Sequence, residues 1–176
     1  MEENIEQLKF PIGKFEKPKI ITENHIKNWI ETIKNFPQKL KSEVENLSKD
    51  DLKKTYRPNG WMISQVVNHC ADSHMNSLVR FKLALTEETP TIKPYQENSW
   101  AELVDSKDFS IESSIKMLEG IHERWTFILE NLSEIELNRT FIHPEGQEEI
   151  SLKTNIGIYA WHCNHHLNHV IIAKRN

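Results

Sequence analysis

Residues 63–86, ISQVVNHCADSHMNSLVRFKLALT, contain neither Gly nor Pro, and this spacing predicts one long helix from about Ile63 to Thr86. Its helical wheel has two characters. Ile63, Cys70, Phe81 and Leu85 share an apolar side with His74, whereas His69 lies on a polar stripe with Gln65, Asp72, Ser73, Asn76 and Arg80. Working outward, Tyr56-Arg57-Pro58-Asn59-Gly60-Trp61 reads as a loop before this helix, and Pro90 and Pro94 mark a loop after it, with a short helical turn around Trp100. Upstream, Thr22 is an N-cap with Glu23 in the first turn, and Ile26, Trp29, Ile30 and Ile33 repeat at helical spacing. Pro37 interrupts or restarts that element before Leu40, Val44 and Leu47 continue its stripe, and Ser48 with Asp50 and Asp51 predicts a short capped turn.

Downstream, Ser110 is placed to cap a helix whose buried face is Ile111, Ile115, Leu118, His122, Trp125, Leu129 and Leu132. Arg139–His143 and Glu149–Leu152 flank Pro144-Glu145-Gly146, the pattern of a small β-hairpin, and a last helix starts near Thr154. The first twenty or so residues, with Pro11, Gly13 and Pro18, read as an irregular arm on the body. Four long helices with medium connections predict an all-α fold, a four-helix bundle with a small β-hairpin before the last helix, in one domain over residues 1–176.

Composition narrows the function. A net charge of −4, with Lys and Arg scattered among Asp and Glu, leaves no basic stripe for nucleic acid or anionic lipid. No apolar run approaches the ~20 residues that cross a bilayer, and the acidic start MEENIEQLKF lacks the apolar segment of a signal peptide. Cys70 and Cys163 lie far apart, each beside a histidine, and do not form a disulfide framework; a reducing, cytoplasmic setting is expected. Five glycines and no glycine-rich phosphate loop argue against nucleotide binding.

Histidine is the compositional exception. There are nine, and four fall between His162 and His169. His162 and His166 stand one turn apart on one face of the last helix, a spacing that presents two imidazoles to one ion. His165 and His169 form a second pair at the same spacing, and periodicity does not choose between them. A third ligand has to come from another helix. His69 leads from its polar stripe, which is either the solvated face of an amphipathic helix or the border of a cleft. His74 and His122 sit on apolar faces and read as buried, hydrogen-bonded core residues.

Further segments extend the pattern: Phe10-Pro11-Ile12-Gly13, Tyr56-Arg57 through Gly60-Trp61, Gln65 to Asn76, Arg80-Phe81-Lys82-Leu83, Lys93-Pro94-Tyr95, His143-Pro144, and Tyr159-Ala160-Trp161-His162 with His165-His166. In this order, over nearly the whole chain, they resemble the DinB-like superfamily and within it the YfiT-like branch, named for metal-dependent hydrolysis. The resemblance implies a four-helix bundle, a homodimer, and one divalent metal per chain, zinc first and nickel second, held by His69, His162 and His166. The branch often has a His-His pair on the second helix; here Asn68 occupies the first position.

Three neutral imidazoles leave a divalent ion its full charge and an open position, the requirement for activating water or a thiol. The leading expectation is a metal-dependent hydrolase acting on a small molecule. Relatives in the wider superfamily resemble S-transferases that use a low-molecular-weight thiol such as bacillithiol, so thiol transfer is the alternative, with Arg57, Asn76, Arg80 and Tyr95 available to line a cleft. A non-catalytic metal-binding dimer is the third reading; Cys70 is its candidate fourth ligand but points about 100° from His69. No general base is fixed by the pattern, and Asp72, His74 and His165 are the nearest candidates.

Overall fold

The structure, a computed structural model, describes residues 2–108 and 110–176. In chain order they form α1 (Glu2–Lys9), α2 (Glu23–Val44), α3 (Ile63–Thr86), the short α4 (Glu97–Ala101) and α5 (Val104–Lys107), then α6 (Glu112–Glu130) and the one-turn α7 (Glu134–Leu137). Strands β1 (Thr140–His143) and β2 (Glu148–Ser151) pair antiparallel, Thr140 opposite Ser151, and lead into α8 (Leu152–Ala173). Helix α2 packs on α6 and α8, and α3 packs on the same two, so α2 and α3 occupy opposite corners of the expected four-helix bundle. None of the described helices is long and apolar enough to cross a membrane.

Helix α2 starts as its sequence implies. The Thr22 hydroxyl accepts from the His25 N–H, and the Thr22 N–H donates back to His25 Nδ1 at 3.1 Å. Pro37 does not interrupt it. The helix runs through, Pro37 is buried, and the loss falls on the carbonyl of Ile33, which has no N–H four residues on to bond. His122 on α6 fills that position, its Nδ1 lying 2.6 Å from the Ile33 oxygen.

Other boundaries differ in detail. The arm is not irregular throughout, because it opens with α1; the residues that read as breakers, Pro11, Gly13 and Pro18, all follow it, and eight residues are too few to show a periodicity. The arm does lie on the body: Trp161 Nε1 donates to the Gly13 carbonyl at 3.1 Å, and His169 Nε2 lies 3.1 Å from the Lys9 carbonyl. Ile111, not Ser110, is the capping position of α6, although the Ser110 hydroxyl still accepts from the Glu112 N–H. Helix α8 begins two residues before Thr154, with the Ser151 hydroxyl accepting the Thr154 N–H.

The polar stripe of α3 is not a solvated face. Gln65, His69 and Ser73 are buried, and Gln65 Nε2 donates to the Ala101 carbonyl at 2.7 Å. The small helices α4 and α5 pack over the stripe and turn it into an inner wall.

Candidate metal centre

His69, on α3, meets His162 and His166, on α8. One ring nitrogen of each lies within 4.8 Å of the other two. The Nε2 atoms of His69 and His162 are 3.2 Å apart, and the rings of His162 and His166 are 4.4 Å apart, centre to centre. His69 and His166 are buried and His162 is half-buried. Trp61, delivered by the turn after Pro58, lies against His69 with ring centres 4.8 Å apart.

Burial keeps these imidazoles uncharged. It lowers His69 to about 4, and holds His162 and His166 well below the ordinary histidine value, the neighbouring histidines adding to the effect. Near neutrality each ring therefore carries one proton and one lone pair, the state in which imidazole ligates a metal.

The nitrogens turned away from the cluster have partners. His162 Nδ1 lies 3.1 Å from His74 Nε2, and His74 Nδ1 lies 2.6 Å from His122 Nε2. His166 Nδ1 is 3.4 Å from His169 Nδ1, and His69 Nδ1 is 3.5 Å from the Tyr95 hydroxyl. Nitrogens about 2.0–2.1 Å from a tetrahedral zinc stand about 3.3 Å from one another. The His69–His162 separation is close to that value, and an all-imidazole donor set suits a transition metal better than an oxygen-seeking ion. The residues present fit a divalent transition metal.

A second grouping shares one member. His165, His166 and His169 also bring ring nitrogens within 4.8 Å of one another. His169 is stacked on Tyr56 at 3.8 Å with its Nε2 on the Lys9 carbonyl. His165 is stacked on Trp161 at 4.4 Å, and its Nδ1 is buried with no partner among the described residues. A neutral His166 has one lone pair, so it serves one grouping at a time.

His74 and His122 are buried and hydrogen-bonded, as expected. Asn68 faces away from the cluster: its Nδ2 donates to the carbonyls of Asp105 and Ser106, and its Oδ1 accepts from the Ser114 hydroxyl. Burial pushes the Cys70 and Cys163 thiols up, so neither is poised as a thiolate ligand. Asp72, half-buried and near Asp105, is pushed up to about 6, a value suited to a base near neutrality. Asn76 is engaged with the Asp72 carbonyl; Arg57 Nε and Arg80 Nε are buried without partners among the described residues. Trp61 enters the sequence pattern as a loop residue and as part of the family resemblance, and its approach to His69 has no signature in periodicity. A groove of about 700 Å³ lined by Lys41, Glu45, Leu52, Ile111 and Glu119 contains none of these histidines, so the donor set and not cavity size marks the site.

The family model of the DinB superfamily matches residues 33–170, which span α3, α6 and most of α8. The chain belongs to the DinB superfamily. Among DinB relatives, the Bacillus subtilis protein named "Putative metal-dependent hydrolase YfiT" is 44% identical over 96% of this chain and 94% of its own. The Oceanobacillus iheyensis protein OB0782, with the same descriptive name, is 48% identical over 95% of this chain and 96% of its own. The solved YfiT structure, described as having an unusual four-helix bundle topology, superposes with a TM-score of 0.93 over 96% of this chain and 97% of that one. A mycothiol-dependent maleylpyruvate isomerase shares the fold at a TM-score of 0.66 and 13% identity, covering 85% of this chain and 63% of that one.

Proposed function

We propose that this DinB-superfamily chain is a metal-dependent hydrolase whose single divalent ion, zinc or nickel, is held by His69, His162 and His166. The observation that carries the reading is the convergence of three uncharged imidazoles from two helices, with His69 Nε2 and His162 Nε2 3.2 Å apart. Names of relatives at 44% and 48% identity point the same way. When bound, such an ion supplies Lewis acidity, which lowers the pKa of water or of a thiol at its open position. The chain's own residues do the rest. Trp61 covers one side of His69, Tyr95 stands at His69 Nδ1, and Asp72 is available to take up a proton near neutral pH.

Thiol transfer is the second reading. It is favoured by the fold shared with a mycothiol-dependent enzyme and by the buried Nε of Arg80, without a partner among the described residues and free to meet an anionic group of a bulky thiol. Elemental analysis of untagged protein, wild type beside His69→Ala, tests the common foundation. About one zinc or nickel per wild-type chain and little in the variant is expected. Metal-free wild type that also refuses added zinc would remove the enzymatic reading. Loaded protein then separates the two chemistries: turnover of esters or amides without added thiol supports hydrolysis, and turnover only with a thiol supports transfer.

A further inference from the structure

We propose that His122 and His74 are positioning residues that hold His162 in its Nδ1–H tautomer, so that the Nε2 lone pair of His162 is turned to the metal site; this rests on the metal-binding reading above. The row of hydrogen bonds starts in α2. The Ile33 carbonyl can only accept, and Pro37, four residues on, has no N–H to give it. His122 Nδ1, 2.6 Å away, must therefore carry the hydrogen. A neutral imidazole has one N–H, so His122 Nε2 is an acceptor. His74 Nδ1 lies 2.6 Å from it and must donate, which makes His74 Nε2 an acceptor in turn. His162 Nδ1, 3.1 Å from that atom, donates to it. One lone pair is left at the end of the row, on His162 Nε2, the atom 3.2 Å from His69 Nε2.

Among the described residues the nitrogens inside the row have no other hydrogen-bond partner, and at its end the Ser73 hydroxyl, 3.5 Å from His162 Nε2, can donate to the lone pair left there. His74 and His122 are buried between Phe36 and Trp125, with ring centres 5.2 to 6.1 Å apart, so water is kept from offering a donor or acceptor that would reverse the row. Both rings are enclosed, and no carboxylate is hydrogen-bonded to either among the described residues, so nothing offsets the cost of a second proton on a ring. The constraint has a purpose. A histidine free in water prefers its proton on Nε2, the nitrogen that His162 turns toward His69 and must leave bare here to ligate. The Lys9 carbonyl imposes the same polarity on His166 through His169, by a shorter row.

The test uses metal-free, histidine-labelled protein and long-range proton–nitrogen spectra, which distinguish the two tautomers. His122, His74 and His162 are each expected to carry hydrogen on Nδ1 with Nε2 bare. A wild-type His162 protonated on Nε2 overturns the proposal, and this measurement needs no variant to fold. In folded His74→Leu, His162 loses its acceptor; its Nε2–H form should appear, and zinc affinity measured against a competing chelator should fall about 10- to 100-fold. His74→Gln, whose amide oxygen can accept from His162 Nδ1, should recover most of that loss. Wild-type zinc affinity in folded His74→Leu also overturns the proposal. Wild type that binds no zinc is a different result: it removes the metal-binding reading itself, whatever the tautomers.

Discussion

Asn68 and His69 are chain neighbours with opposite duties. Their side chains leave α3 about 100° apart, Asn68 toward α5 and α6 and His69 toward α8. Asn68→Ala would leave the carbonyls of Asp105 and Ser106 and the hydroxyl of Ser114 short of a partner. A loss of about 1–3 kcal/mol is expected in denaturant unfolding, with zinc content unchanged. Loss of zinc from a folded Asn68→Ala would show that the ligand assignment on α3 is misplaced by one residue. At this scale spacing made two i, i+4 pairs on α8 and a wheel position for His69 legible, while the choice of His162 and His166 over His165 and His169 came only from the family resemblance. What His74 and His122 do for the cluster was not legible. Their row ends on a backbone carbonyl, which every residue has, and only the packing of α6 against α2 selects Ile33. Pro37 was the available clue, since a proline inside a helix always frees the carbonyl four residues back.

Between elements, the close approach is where α8 crosses α2. A Cβ added at Gly157 would sit 2.9 Å from the Trp29 ring and 3.1 Å from Phe15, and an indole against a helix has little room to give. Gly157→Ala is therefore expected to cost about 1–3 kcal/mol by overpacking, despite alanine's better helix propensity. Trp29→Leu should make the same substitution nearly neutral, so a double-mutant cycle on unfolding free energies should show a coupling of about 1 kcal/mol or more. Additive effects would mean the helices are free to separate there. Because α8 carries His162 and His166, a shift at Gly157 should also weaken zinc binding. The long helices were legible because breaker-free runs and apolar stripes are local signals. The short ones were less so. Helix α7 is a single turn, too short for a periodicity, yet Ser133 and Glu136 form a capping box in which the Ser133 hydroxyl accepts from the Glu136 N–H and the Glu136 carboxylate accepts from the Ser133 N–H. That pair was readable, whereas α1 depends on an arm held by α8.

For the molecule as a whole, the concentration of buried imidazole sets the response to acid. Burial lowers His69, His122 and His165 to about 4 and His169 to about 3, and holds His74, His162 and His166 well below their ordinary value. Unfolded, each titrates near 6.5. Above that pH both states are neutral and the contribution to stability is fully present. As pH falls from 6.5 toward 4, the unfolded chain binds protons that the folded one refuses, so stability must decrease. Two carboxyls act in the other direction. Asp72, raised to about 6, and Glu97, also raised by burial, take up protons in the folded state first and stabilise it slightly as pH falls. Two groups do not offset seven. Asp51, lowered to about 2, adds its loss only below its unfolded value of 3.8, outside this window. The melting temperature of metal-free protein is therefore expected to drop steeply between pH 6.5 and 4.5. Saturating zinc should raise it far more at pH 7.5 than at pH 5, because protons and the ion compete for the same lone pairs. A melting temperature that is flat across that window would mean that the imidazoles are open to water and charge freely, and an enclosed three-histidine centre would then be untenable.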